Sequence, residues 1–239
     1  MDTAILIQMI RYLAAVLFAV ILGNAAVYLF NHMPDAWFRD YGEEPEDKGK
    51  DEPYTQRVKS TPWKYYLSML YIIIGLYLVR DDWVYTIAVM VICWILTELS
   101  MSDIKFRIVP DELLFLLAVS ALGLIQYHAG WLDMLYGAAA GFGIMGATAL
   151  IGKAMYRRDA VGGGDIKLFA ALGLVLGLKG VLLVFMMSAL LSGAHMVLLL
   201  ARKKIKRKDT IPMVPYIAVS AGIYLVFIWQ GTIGTYINI

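Results

Sequence analysis

Charged residues and cysteines are scarce in this chain of 239 residues. Only 17% of the residues are charged and 60% are hydrophobic, with a mean hydropathy of +0.67, whereas about 25% are charged in an ordinary soluble domain. A soluble domain of this length has too much surface for such a composition, which therefore argues strongly against the soluble globular class. The single cysteine, Cys93, can form neither a disulfide within the chain nor a cysteine-rich zinc site.

Clustered histidines and an excess of one charge are also missing. The three histidines, His32, His128 and His195, are too far apart in sequence to give the spacing of a metal site. The net charge is only +2, so the overall charge does not favour binding to nucleic acid. We therefore predict no metal and no nucleic-acid partner.

Long apolar runs are what the sequence has instead. A helix that crosses the ~30 Å hydrocarbon core of a lipid bilayer needs about 20 apolar residues, whereas a membrane β-barrel shows shorter alternating segments. The runs predict an all-α, polytopic integral membrane protein with about eight transmembrane helices. The expected helical segments are 4–30, 65–79, 83–101, 112–127, 132–152, 165–178, 180–201 and 213–229.

The basic residues predict the orientation in the membrane. Three parts are expected along the chain: a first transmembrane helix at 1–32, a polar loop at 33–63 and a membrane core at 64–239. Of the 21 Lys and Arg residues, 18 fall in segments that share one side if the N-terminus lies outside. The positive-inside rule then makes that side cytoplasmic. The segments are 33–64, 102–110, 153–167 and 202–208.

Two of these cytoplasmic segments each place an aspartate at the end of a membrane helix. Asp103 follows the third expected span, and Asp165 opens the sixth. Two carboxylates brought together from separate helices are the parts of an aspartyl protease, because like charges at close range share one proton. The ionised member takes a proton from water while the protonated member polarises the scissile carbonyl.

Each feature also has a simpler interpretation when it is taken alone. Asp165 can be a helix cap or an interfacial charge, and Asp103 can belong to an ordinary solvated turn. Asp111, which follows Pro110, fits the N-cap of the fourth span. A run of three glycines before Asp165 is by itself compatible with a simple hinge.

In combination, the two segments closely resemble the motifs of the type IV prepilin peptidases. The segment 162–168 (GGGDIKL) resembles the GxGD signature of that family, and Asp103 stands eight residues before the last residue of 108–111 (IVPD), as in its other motif. The segment 211–216 (IPMVPY) is similar to the stretch before the family's last helix. The resemblance implies that Asp103 and Asp165 are the catalytic pair. The motif residues that it adds in support are Gly162, Gly164, Lys167, Pro110 and Asp111.

The resemblance implies an aspartic-type endopeptidase in the cytoplasmic membrane that cuts the basic leader of type IV prepilin or pseudopilin precursors at the cytoplasmic face. Proteolysis of this kind requires no cofactor. Many bacterial members also methylate the new N-terminus with S-adenosylmethionine, and carry two Cys-x-x-Cys pairs in a longer first loop. The loop at 33–63 is short and has no cysteine. The bifunctional enzyme therefore remains an alternative, as do a small proton- or ion-coupled transporter and a membrane assembly protein without enzyme activity.

Overall fold

The computed structural model describes residues 3–38, 57–80, 82–156, 162–204 and 211–229. Over these residues the secondary structure is helical throughout, without a strand, as the composition predicts. The helices are α1 (Thr3–His32), α2 (Ser60–Leu78), α3 (Trp83–Phe106), α4 (Asp111–Ser120), α5 (Trp131–Tyr156), α6 (Gly163–Ala201) and α7 (Val214–Ile223). Two 3-10 helices, Asp35–Phe38 and Ala121–Tyr127, and a π-helical turn, Tyr224–Ile228, accompany them.

Among the residues that the structure describes, four helical segments are long and apolar enough to cross a membrane, and Val214–Ile228 is a shorter apolar one. Helix α1 also turns large apolar side chains outward: Ile5, Ile10 and Leu13 are each more than half exposed. Patches of this kind are rare on soluble monomers, whereas a lipid bilayer covers them. The findings fit a multi-pass membrane protein. The four segments are Ile5–His32, Trp83–Phe106, Trp131–Met155 and Gly163–Ala201.

The chain divides into two compact units, Met1–Glu98 and Leu99–Ile239. In the first unit α1 packs closely against α2, because a Cβ atom on Gly23 would lie only 2.4 Å from the backbone nitrogen of Ser68. The amide of Asn31 exchanges two hydrogen bonds, of 2.9 and 2.8 Å, with the backbone of Val58. The end of α1 is thereby fixed to the chain that leads into α2.

The second unit contains a reversal of the chain inside α6. Gly177 has φ 68° and ψ −178°, a conformation that is essentially restricted to glycine. The rings of Phe169 and Phe185 lie 5.7 Å apart, although 16 residues of straight helix would separate them by about 24 Å. The two arms of α6 therefore run side by side. The sequence predicts a break between 178 and 180, and the structure has it at Gly177.

Polar side chains from the preceding turn hold this reversal. The Nδ1 atom of His128 lies 3.1 Å from Asp133 Oδ2, and its Nε2 atom lies 3.2 Å from the carbonyl oxygen of Val175. The backbone N–H of Leu178 donates to Asp133 Oδ1 at 3.2 Å. The carbonyl oxygen of Val175 and the N–H of Leu178 lie at the reversal, and both are hydrogen-bonded. Backbone groups within a lipid bilayer need such partners because no water is available there.

Glycines bring the backbones of α5 and α6 into direct contact. A Cβ atom on Gly137 would lie 2.2 Å from the carbonyl oxygen of Gly173, and one on Gly141 would lie 2.1 Å from that of Phe169. Gly137 and Gly141 have the spacing of the small-xxx-small pattern that packs membrane helices. This contact fixes the first arm of α6, whose first turn contains Asp165.

The structure corrects one predicted boundary near the two aspartates. Helix α3 continues to Phe106, so Asp103 lies inside its last turn and does not follow it. The backbone N–H of Arg107 still donates to the carbonyl oxygen of Asp103 at 3.1 Å, and the helix ends because Arg107 adopts φ 59°.

Several predictions concern residues outside the described ranges. They include most of the polar loop, at 39–56, the basic pair Arg157 and Arg158, and the end of the basic run at 205–208. The described start of that loop forms the short 3-10 helix Asp35–Phe38.

We expect Gly177→Ala to lower the free energy of unfolding by about 1–3 kcal/mol, because alanine is strained in this conformation and its Cβ atom would lie 2.2 Å from Asp133 Oδ2. Gly193→Ala is the matched control in the second arm, where a Cβ atom meets nothing within 4 Å. It should leave stability unchanged or raise it by about 0.5–1 kcal/mol. Denaturant unfolding in detergent measures both variants, and equal stabilities would contradict the strained turn.

Candidate active site

The structure brings the two predicted aspartates together within the second unit. Asp103 lies in the last turn of α3 and is only 7% exposed, and Asp165 lies in the first turn of α6. Their carboxylates are close enough for the two negative charges to interact. Two helix ends that are 62 residues apart in sequence therefore contribute one carboxylate each to the same place.

Gly164 lets the two helix ends approach each other. A Cβ atom on Gly164 would lie 2.8 Å from the Cβ atom of Val109, in the segment between α3 and α4, and 3.1 Å from its Cγ2 atom. A Cβ atom on Gly163 would meet nothing within 4 Å. The second glycine of the GxGD motif is therefore the one that the contact requires.

Lys167 and Asp111 form an ion pair across the same junction. The Nζ atom of Lys167 donates to both carboxylate oxygens of Asp111 at 2.8 Å, and each side chain is about half exposed (49% and 46%). The predicted N-cap role of Asp111 is wrong, because Pro110 occupies the N-cap position of α4 and the helix start has no side-chain cap. Asp111 instead links the start of α4 to that of α6.

Gly162 and Pro110 shape the backbone at the starts of the two helices. Gly162 is the N-cap of α6 in an extended conformation, and its carbonyl oxygen accepts the N–H of Asp165 at 3.2 Å. Pro110 is buried, and its carbonyl oxygen accepts the N–H of Leu114 at 3.2 Å. Each therefore starts its helix next to the contact between the two helix ends.

Sequence reasoning missed three contributions to this site. The backbone N–H of Val214, at the start of α7, donates to Asp103 Oδ2 at 2.9 Å in a buried position. The charge of Arg107 acts on the Asp103 carboxylate, and the hydroxyl of Ser102 donates to the carbonyl oxygen of Ile108 at 2.6 Å. The IPMVPY segment, at 211–216, was the sequence signal for the Val214 contribution, although the pattern did not show that its N–H donates to Asp103.

The arrangement can hold and transfer a proton. Two carboxylates whose charges repel each other favour a state with one proton between them, and Asp165 is only partly buried, so the site is not sealed. Within the described ranges, no three His, Cys, Asp or Glu side chains are grouped so that they could hold a metal ion. The two carboxylates, by sharing one proton, offer acid–base chemistry.

The part of the chain that contains both aspartates is similar to a known family. The model of a family described as the type IV leader peptidase family aligns with residues 90–197, which include both aspartates. Residues 90–197 thus match the type IV leader peptidase family. The resemblance inferred from the motifs is confirmed, and the matched segment contains the whole junction between α3 and α6.

Relatives named prepilin leader peptidase/N-methyltransferase are similar to part of the chain. The protein from Bacillus subtilis is 33% identical over 141 residues, which are 58% of this chain and 54% of that protein. The one from Xanthomonas campestris is 32% identical over 59% of this chain and 49% of its own length, and the one from Vibrio cholerae is 28% identical over 64% and 61%. The chain spans about half the length of the curated relatives it matches. No solved structure matches it significantly.

We expect Gly164→Val to reduce the peptidase activity proposed below far more than Gly163→Val does. The valine at 164 would collide with Val109, whereas the one at 163 would meet open space. Adding Val109→Gly to Gly164→Ala should recover activity relative to Gly164→Ala alone, because it removes the colliding side chain. Full activity of Gly164→Val would show that the helix ends do not need this contact.

Proposed function

We propose that this chain is a membrane aspartyl endopeptidase that cleaves the basic leader of type IV prepilin-like precursors. The observation that carries the proposal is the meeting of Asp103 and Asp165, from two helices, inside a segment that matches the type IV leader peptidase family. The relatives' names supply the class of substrate. Asp103 and Asp165 are the proposed catalytic residues, with Gly162, Gly164, Lys167, Pro110 and Asp111 in support.

The proposed reaction is general acid–base hydrolysis of one peptide bond. One carboxylate takes a proton from water as the water oxygen attacks the scissile carbonyl carbon, and the other carboxyl gives its proton to the carbonyl oxygen. The proton taken from water then passes to the leaving nitrogen as the carbon–nitrogen bond breaks, and a hydroxyl proton of the tetrahedral intermediate restores the second carboxyl. Proteolysis of this kind consumes one water molecule and needs no cofactor.

The proposed setting is the cytoplasmic membrane, with eight transmembrane segments and the site on the cytoplasmic side. Its helices α1 to α5 supply five segments, the two arms of α6 supply two and α7 with its π-helical turn supplies the last. The distribution of Lys and Arg supports this orientation. The proposed parts are the helix at 1–32, the cytoplasmic loop at 33–63 and the peptidase core at 64–239. The apolar helix of the precursor would lie in the bilayer beside that core.

Methyl transfer is the second candidate activity, because the relatives' names include it. The methyl donor S-adenosylmethionine has a positive sulfonium and a ribose diol, which favour carboxylate partners. The first unit has a cavity of about 460 Å³ beside α1 and α2. It is lined by Asn24, Ala25, Val27, Tyr28, Asn31, His32, Ser60 and Lys64. Because the lining includes two basic residues and no acidic one, it does not fit the positively charged donor.

We expect Asp103→Asn and Asp165→Asn each to lower the rate of leader cleavage on the order of 10⁴-fold, because general acid–base catalysis needs both carboxyls. Cleavage of a synthetic precursor, with a basic leader that ends in glycine before an apolar helix, measures the rate in proteoliposomes. Thermal unfolding checks that the variants remain folded.

Asp111→Asn is the matched control for these variants. It removes only a half-exposed ion pair, and such pairs are worth about 0–1 kcal/mol, so we expect a loss of less than about tenfold. A rate near that of the parent in either Asp103→Asn or Asp165→Asn would contradict the proposed function.

Cysteine labelling from either side of the membrane tests the topology. In a Cys93→Ser background, single cysteines within 33–63, 153–164 and 202–208 should react with an impermeant reagent from the cytoplasmic side. A cysteine within 128–131 should react from the outside. The basic residues predict this pattern, and labelling of 33–63 and 153–164 on opposite sides would refute the proposed eight segments.

A further inference from the structure

The start of α7 supplies hydrogen-bond donors to one of the two aspartates. The buried N–H of Val214 donates to Asp103 Oδ2 at 2.9 Å, and the backbone of Met213 also hydrogen-bonds to this carboxylate. The first N–H groups of a helix have no acceptor within the helix, and the positive end of the helix dipole lies there. Both properties stabilise a negative charge on Asp103.

A second positive influence on Asp103 comes from its own helix end. Arg107 adopts φ 59° where α3 ends, a left-handed backbone conformation that is unfavourable for residues other than glycine. Its guanidinium charge acts favourably on the Asp103 carboxylate. Two separate sources of positive potential thus act on the same carboxylate.

Asp165 has a different environment. Its carboxylate hydrogen-bonds to the backbone of Gly162. Repulsion between the two carboxylates is mutual, so it favours a single negative charge on the pair without deciding which residue has it. A hydrogen bond to the ionised form of a carboxyl favours that form. Because only Asp103 has the buried Val214 N–H at 2.9 Å and the Arg107 charge, the single negative charge is more stable on Asp103 than on Asp165.

We propose that the Val214 N–H, with the Arg107 guanidinium, assigns the two roles of the dyad: Asp103 is the ionised base and Asp165 is the protonated acid. The assignment rests on the proposed function. Asp103 takes the proton from the attacking water, and Asp165 gives its proton to the scissile carbonyl oxygen. Asp103 then passes its proton to the leaving nitrogen as the bond to carbon breaks, and Asp165 regains a proton from a hydroxyl of the intermediate. Val214 and Arg107 are positioning residues.

Replacing the Val214 amide by an ester, with the corresponding α-hydroxy acid, removes this N–H and keeps the side chain. In the full chain we expect the acidic limb of the pH profile of kcat/KM to move up by about one pH unit, because the base loses a hydrogen bond to its charged form. The alkaline limb, which reports the loss of the proton from Asp165, should stay in place.

The same exchange at Tyr216 is the matched control. Its N–H donates to the carbonyl oxygen of Met213 at 3.1 Å, so the exchange perturbs the same turn without removing a donor to Asp103. Both limbs should then stay at the pH values of the parent. Movement of the alkaline limb alone in the Val214 ester would reverse the assignment, and a uniform loss at all pH values would reduce Val214 to a structural role.

Arg107 provides a second test that does not alter the backbone. Arg107→Gln should move the acidic limb upward at low salt, by less than the Val214 ester does, since exposed charges are screened. Arg107→Lys should restore the position of the limb, and Lys105→Gln is the control on the same helix end. An unmoved limb in both Arg107→Gln and the Val214 ester would overturn the inference.

A readout without cleavage separates this inference from the proposed function. Infrared absorption of protonated carboxyl groups, with Asp103→Asn and Asp165→Asn as references, should show that Asp165 is the first of the two carboxyls to take up a proton as the pH falls from neutral. The Val214 ester should raise the pH at which the Asp103 band appears. A parent chain that cleaves no precursor would contradict the proposed function alone, whereas a first band that belongs to Asp103 would contradict the assignment alone.

Discussion

The contact between Gly164 and Val109 joins the two helix ends on which the candidate site depends. Because glycine has no Cβ atom, the start of α6 can lie against the segment that follows α3. The ion pair between Lys167 and Asp111 spans the same junction, but it is half exposed and contributes little energy of its own. Close packing therefore sets the distance between the helix ends, and the ion pair selects their register.

The position of Asp165 depends in turn on contacts that lie farther along α6. In lipid, the hydrophobic effect does not drive helices together, so close packing and hydrogen bonds have to do so. The backbone contact between Gly137 and Gly173 satisfies the first requirement. Asp133 and His128 satisfy the second at the reversal, where they bind the freed backbone groups of Leu178 and Val175. The first arm of α6 is thus fixed at both ends: by the contact with Val109 at its start and by the hydrogen bonds of His128 and Asp133 at the reversal.

The sequence predicted the helical class, the reversal in α6 and the two aspartates, because each has a local signature. Apolar runs identify membrane helices, a glycine can mark a break, and the GxGD motif lies next to the residue concerned. The N-cap assignment for Asp111 failed because its true partner, Lys167, is 56 residues away, and a local pattern contains no information on such a contact. Val214 was missed for the same reason, since the IPMVPY segment marks a motif but does not show that a backbone N–H in it donates to Asp103, 111 residues away.

The family match ends at residue 197, yet a donor to Asp103 lies at residue 214. The segment 211–216 explains how so short a stretch can do this. Pro212 and Pro215 have no backbone N–H, so the prolines bracket the N–H groups of Met213 and Val214 and limit the donors at this helix start. Both of these residues hydrogen-bond to the Asp103 carboxylate. Met213 and Val214 therefore supply the N–H groups next to the two prolines, and both serve the same acceptor. The site is built from three helix ends, whereas the two aspartate motifs alone indicate two.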